Sequence, residues 1–200
     1  MNIRNVIRLS ELLGEMGNVK RATRLPSGEA ESDSHHSFSL ALIAYDICVR
    51  QCPELDMAKV MLFALTHDLL EIVTGDEDTL HYTAEQMRLK QEKEHAAVDE
   101  FGRVFAGYPM LREAVEEYER LDTPEAVSVF ILDKACTTWT HFPDNAEHAR
   151  NERGLETRQD IEEWGERMRT KIKSRVKVEP PQAIMDVYEA SFSELAALYD

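Results

Sequence analysis

Met57–Asp76 reads MAKVMLFALTHDLLEIVTGD, and the fold turns on this stretch. From Met57 to Thr66 it is apolar almost all round, as in a helix buried on every side. Asp56 is placed to cap it, since a carboxylate there accepts from the free N–H groups of the first turn. The periodicity carries the helix on to about Val73, but polar residues enter it abruptly at Thr66, His67, Asp68 and Glu71. Gly75 and the acidic run Asp76–Glu77–Asp78 then break it. Polar groups in the middle of a buried helix are costly without partners, so this is the first sign of a site.

Helical spacing continues on both sides. Ile3, Val6, Ile7, Leu13 and Met16 recur at three- and four-residue steps, with a stop near Gly14–Gly17. The polar stretch from Asn18 to Asp33 reads as an ordered loop or turn. His36 to about Arg50 is dense enough in apolar residues for a helix buried on most sides, ended by Pro53. A long charged helix from about Thr83 to Phe105 and a shorter one from Pro109 follow. Thr123–Pro124 is a capping residue with a proline at the first helical position. Beyond a loop around Phe142–Asn145, helix Leu155–Lys173 carries Ile161, Trp164, Met168 and Ile172 on one face, with the basic run Arg167–Lys177 as its solvated side. Pro180–Pro181 precede a last amphipathic helix. No stretch alternates as a strand does. The expectation is an all-α fold: one compact helical domain over residues 1–200, with helices 155–200 packed on the rest.

Composition narrows the function. Of the 200 residues 43% are hydrophobic and 30% charged, enough for a sizeable core. The net charge of −15 repels phosphate backbones and anionic membranes, so neither nucleic acid nor membrane is expected as a partner. It still allows a small anionic substrate, because a metal ion or a few arginines invert the local field. Cys48, Cys52 and Cys136 form no paired framework and no CxxC, and read as reduced core cysteines. With no signal-like start and no run of 18 apolar residues, the expected compartment is the cytoplasm.

Four residues carry the chemistry: His36, the adjacent pair His67–Asp68, and Asp133, each interrupting an apolar helix. A divalent cation offsets the cost of burying them. Imidazole with carboxylate suits Mn, Co, Ni, Fe or Zn, and no thiolate is placed to force zinc. Glu71 lies four residues after His67 and three after Asp68, on the same helical face. There it can sit beside the metal and accept a proton from water. Asp76, just past Gly75, can reach back toward the same opening.

SHHS at 34–37, HDLLEIVTGD at 67–76 and ILDKA at 131–135 resemble the HD-domain metal-dependent phosphohydrolases, and most closely their small 5′-deoxynucleotidase-like branch. The resemblance runs from about residue 19 to 136. It implies one metal held by His36, His67, Asp68 and Asp133, with Glu71 as acid/base and Asp76 assisting at the leaving oxygen or ribose. It also implies an upstream arginine on the phosphate, Arg21 or, in a second register, Arg24; a shift of register would likewise exchange His36 for His35. The implied activity is removal of the 5′-phosphate from (deoxy)nucleoside monophosphates. A dNTP triphosphohydrolase or a silent binding module of the same fold are the alternatives. Binuclear members need more histidines between the HD pair and the last Asp than His81 and His95. The near-site cations Lys20, Arg21, Arg24 and Lys134 are few, which favours a monophosphate. Amphipathic outer helices and family habit imply a homodimer.

Overall fold

A computed structural model describes residues 2–200. The chain begins with α1 (Ile3–Met16), then the short strands β1 (Lys20–Arg24) and β2 (Ala30–Ser32). The helices α2 (Asp33–Gln51), α3 (Met57–Thr66), α4 (Glu71–Thr74), α5 (Ala84–Val104) and α6 (Pro109–Arg120) follow. It ends with α7 (Pro124–Trp139), α8 (Glu147–Glu152), α9 (Arg158–Arg175) and α10 (Gln182–Ala197). The fold is all-α apart from the hairpin, and no described helix is long and apolar enough to cross a membrane.

Local chemistry sets the boundaries. The Asp56 carboxylate accepts from the Ala58 and Lys59 amides to start α3, and Thr123 does the same for α7 from Ala126. Each such cap stabilises its helix by about 1 kcal/mol. Thr83 and Gln86 form a reciprocal capping box on α5. Every residue of α7 from Ala126 to Asp133 is buried, against α10, α3, α2, α6 and α9. Leu40 of α2, Phe63 of α3, Ile131 and Leu132 of α7 and Tyr188 of α10 belong to this main core, each such aliphatic or aromatic side chain contributing roughly 1.5–3 kcal/mol. Asp133 is therefore carried into the molecule by a helix with no solvated face along its middle. A second cluster joins Leu12 and Met16 of α1 to Leu69, Phe101, Phe105 and Val115, and so buttresses the turn after α3 from outside.

The structure departs from the expected layout in several places. Asn18–Asp33 is not a loop but an antiparallel hairpin, with Lys20 opposite Ser32 and Arg24 opposite Ala30. Its inward residues are Thr23 and Glu31, hydrogen-bonded to each other at 2.7 Å, rather than apolar ones. The hydrophobic alternation that marks strands is absent because the hairpin faces a polar site. Gly28, at φ +85°, supplies the left-handed residue of the turn. The helix expected from Met57 to Val73 stops at Thr66, and residues 67–70 are tight turns in which Leu69 N–H bonds to Thr66 O and Glu71 N–H to Asp68 O. Finally, α2 is buried along one face only. Leu40, Ala41, Ala44 and Cys48 point inward, while Phe38, Leu42, Tyr45 and Val49 stand 59%, 51%, 47% and 43% exposed in one row. The short helix α8 has no counterpart in the sequence pattern, and α9 starts three residues later than the spacing implies.

Candidate metal centre

The tight turns at 67–70 explain the placement of the HDLLE residues. With about three residues per turn, side chains three apart eclipse one another, which stacks Asp68 and Glu71. Asp33, Asp68 and Glu71 each offer an oxygen within 4.8 Å of the others. Gly75, at φ +72°, turns the chain sharply after α4 and leaves Asp76 on the same cleft as Glu71 and Lys20.

Two imidazoles and two carboxylates converge from α2, the turn after α3, and α7. His36 Nε2 lies 2.9 Å from Asp133 Oδ1, which lies 3.8 Å from His67 Nε2. His67 Nε2 is 3.1 Å from Asp68 Oδ2, and the ring closes with 4.0 Å from Asp68 Oδ2 to His36 Nε2. Donors sharing one ion at about 2.0–2.2 Å stand roughly 3–3.6 Å apart, and the four sides bracket that spacing. His67 Nδ1 donates to the Ala64 carbonyl at 3.0 Å, which leaves Nε2 free to ligate. That Nε2 is buried and makes no hydrogen bond, an orphan aimed into the ring. The rings of Tyr118 and His67 meet nearly at right angles, with centroids 5.7 Å apart.

The electrostatics call for a cation. Burial disfavours charge on His67, but Asp68 and Asp133 outweigh it and raise its pKa to about 10. Burial would likewise raise Asp68, yet His67 and Arg21 hold it well below the usual carboxylate range. For Asp133, Lys134 and the two histidines do the same. The field that holds a proton on His67 is equally suited to a divalent ion, which would displace that proton. The donor set thus fits a first-row divalent metal.

Around the ring, Arg21 Nη1 reaches Asp68 Oδ2 at 3.0 Å and Asp33 Oδ1 at 3.4 Å, while its Nε lies 3.7 Å from Glu31 Oε2. Its Nη2 has no protein partner among the described residues. Glu71 Oε2 is buried without a hydrogen bond, and burial together with Asp68, Asp76 and Asp33 pushes its pKa up. Asp76 is raised by burial despite Arg21.

Residues 13–175 match the sequence profile described as HD domain. The chain belongs to the HD domain family. Two solved structures share this HD fold. One, named a predicted metal-dependent phosphohydrolase, from Magnetospirillum magnetotacticum, is 18% identical at a TM-score of 0.70, over 97% of this chain and 94% of that one. The other, from Pyrococcus horikoshii, is 20% identical at 0.60, over 96% and 99%. At these identities the likeness is one of fold. No curated protein matches the chain.

Of the residues singled out in this HD domain, His36, His67, Asp68 and Asp133 are brought together, with Arg21, Glu71 and Asp76 beside them. Arg24 is not: it pairs with Glu152 at 2.7 Å on an exposed edge of the hairpin. Nor is His35, half-exposed against Glu31, while His36 is 1% exposed. Sequence reasoning passes over Glu31 and Asp33, which are buried and steady Arg21. Their signal is the alternation of acids two residues apart just ahead of His36. It also leaves Lys171 on a solvated face, whereas that side chain is half-buried toward α7.

Proposed function

We propose that this HD domain is a metal-dependent phosphohydrolase of the 5′-deoxynucleotidase-like kind, acting on the 5′-phosphate of (deoxy)nucleoside monophosphates. What carries the reading is the closed ring of His36, His67, Asp68 and Asp133 with an arginine and an unpartnered carboxylate at its edge. A divalent cation held there would act as a Lewis acid toward a phosphate oxygen and acidify water beside it. Arg21, fixed by Glu31, Asp33 and Asp68, turns its free Nη2 to the phosphate and offsets charge developing on the equatorial oxygens. Glu71, unpartnered at the edge of the ring, would accept the proton of the attacking water once a cation in the ring lowers the proton affinity that burial and the neighbouring carboxylates raise. Asp76 orients the leaving oxygen or the ribose from the lip of a cleft of about 320 Å³. The three free, buried cysteines agree with a cytoplasmic setting, and the outward apolar row of α2 supports a homodimer.

The test is product analysis with Mn- or Co-reconstituted protein, offered the four deoxynucleoside monophosphates, their ribo counterparts and the dNTPs. Nucleoside plus free phosphate from the monophosphates is the expected result. Triphosphate, or successive phosphates, from the dNTPs alone would replace the nucleotidase reading with a triphosphohydrolase. Bound metal with silence across the panel would overturn the nucleotide substrate.

A further inference from the structure

Helices α7 and α9 run antiparallel. Lys177 N–H bonds to the Leu121 carbonyl just before α7, and His141, just after it, stacks edge-on against Trp164 near the start of α9. Between these ends, the Phe130–Lys134 ridge of α7 faces the Lys171–Arg175 ridge of α9. Lys134 Nζ sits 4.9 Å from the Phe130 ring centre, and the Arg175 guanidinium lies 5.7 Å from it. Lys171, one turn before Arg175, is thereby set across from Lys134. Its neighbours have anionic partners: Lys134 bonds to Asp133 Oδ2 at 2.5 Å, Arg175 to Glu119 at 3.2 Å, and Lys90 to Glu94. Lys171 makes no ion pair and no side-chain hydrogen bond among the described residues, though it is half-buried.

A chain with net charge −15 has carboxylates to spare, so an unpaired, half-buried ammonium facing another lysine is unexpected unless an anion comes between them. Repulsion from Lys134 and burial lower the Lys171 pKa to about 8, as expected of a cation lacking its counter-ion. Lys134 is the residue after Asp133 and bonds to its Oδ2, so the pair adjoins the metal ring.

We propose that Lys171 and Lys134 form a second anion subsite that receives a phosphoryl group beyond the one at the metal centre. This rests on the phosphohydrolase reading and widens its substrate class to compounds with two or more joined phosphates. It also bears on the sparse near-site cations of the motif region, because Lys171 comes from a helix outside it.

The probe is methylenediphosphonate, which carries two joined phosphoryl groups and resists hydrolysis, compared with inorganic phosphate by calorimetry at constant free Mn2+. Wild-type protein should bind the diphosphonate tighter. Lys171→Met should weaken that binding on the order of tenfold, the effect of removing one charge-assisted hydrogen bond, with a smaller effect on phosphate. Lys171→Arg should keep the preference. Lys173→Met, which removes the same charge from an exposed position of α9, should leave it unchanged. Equal losses in Lys171→Met and Lys173→Met, or none in Lys171→Met, would overturn the subsite. If Lys171→Met does not fold, loss of the preference in Lys171→Arg overturns it instead. Lys171-dependent diphosphonate binding without turnover of any phosphate ester would keep the subsite and discard the substrate reading; turnover without Lys171 dependence would do the reverse.

Discussion

Adding Mn2+ should raise the melting temperature of the wild-type protein and do so far less for Asp133→Asn. The four donors come from three separated segments and meet only when α2, the turn after α3 and α7 are packed, so the ion binds the folded state alone. At an ion concentration about 100 times Kd, such linkage stabilises by about 2.7 kcal/mol, or roughly 5–11 °C for a chain of this size. Asp133 Oδ1 faces both imidazoles, at 2.9 and 3.8 Å, so its replacement by a neutral amide removes one of two anionic donors at the centre of the set. If that weakens binding about 100-fold, the same Mn2+ concentration only matches Kd, and the stabilisation drops to about 0.4 kcal/mol, roughly 1–2 °C. Each protein, scanned with and without Mn2+ by differential scanning fluorimetry, serves as its own reference, which cancels any change in the metal-free stability. Equal shifts in the two proteins, or no shift in the wild type, would refute the assignment of the ring as a metal centre.

Further outcomes follow from the same geometry. Glu71→Gln should retain the metal, as read by elemental analysis, while phosphate release falls by about 10²–10⁴; near-normal rates would remove Glu71 from the chemistry. His141 is fully buried, and burial with Arg153, whose Nη1 lies 3.3 Å from its Nε2, lowers its pKa to about 4. Below its unfolded pKa near 6.5 the unfolded chain takes up the proton first, so this stability is complete above about pH 6.5 and is lost toward pH 4, by up to about 3 kcal/mol. Urea midpoints of wild type and His141→Gln should therefore differ in pH slope across that window, and parallel slopes would show that His141 titrates normally. Phe38→Glu, in the exposed row of α2, should convert a dimer to a monomer in sedimentation velocity; a monomeric wild type would discard that interface.

Most of the helical layout is legible in the sequence because it rests on local chemistry. Asp56, Thr83 and Thr123 cap helices whose starts the sequence marks, and Pro53 and Pro109 fall at boundaries. The metal-ring residues are legible because a histidine or aspartate inside an apolar helix has few inexpensive explanations. What escapes notice depends on tertiary context. The hairpin at 20–32 has polar inward residues, so it carries no strand pattern, and the break at His67 lies inside a stretch whose helical spacing continues unbroken. Arg21 and Arg24 both belong to one strand and differ only in what faces them: Asp68 for one, Glu152 for the other. The position of Lys171 depends on how α9 packs on α7, and its own helix gives no hint of it.

Phosphate release and metal content, measured in the same samples of wild type and Asp68→Ala, test the metal ring most directly. Asp68 Oδ2 touches His67 and Arg21 together, so its loss opens the ring and frees the arginine. Wild-type protein should hold close to one divalent ion per chain and release phosphate from nucleoside monophosphates, and Asp68→Ala should lose both. Metal-free Asp68→Ala that turns over at the wild-type rate would contradict this expectation.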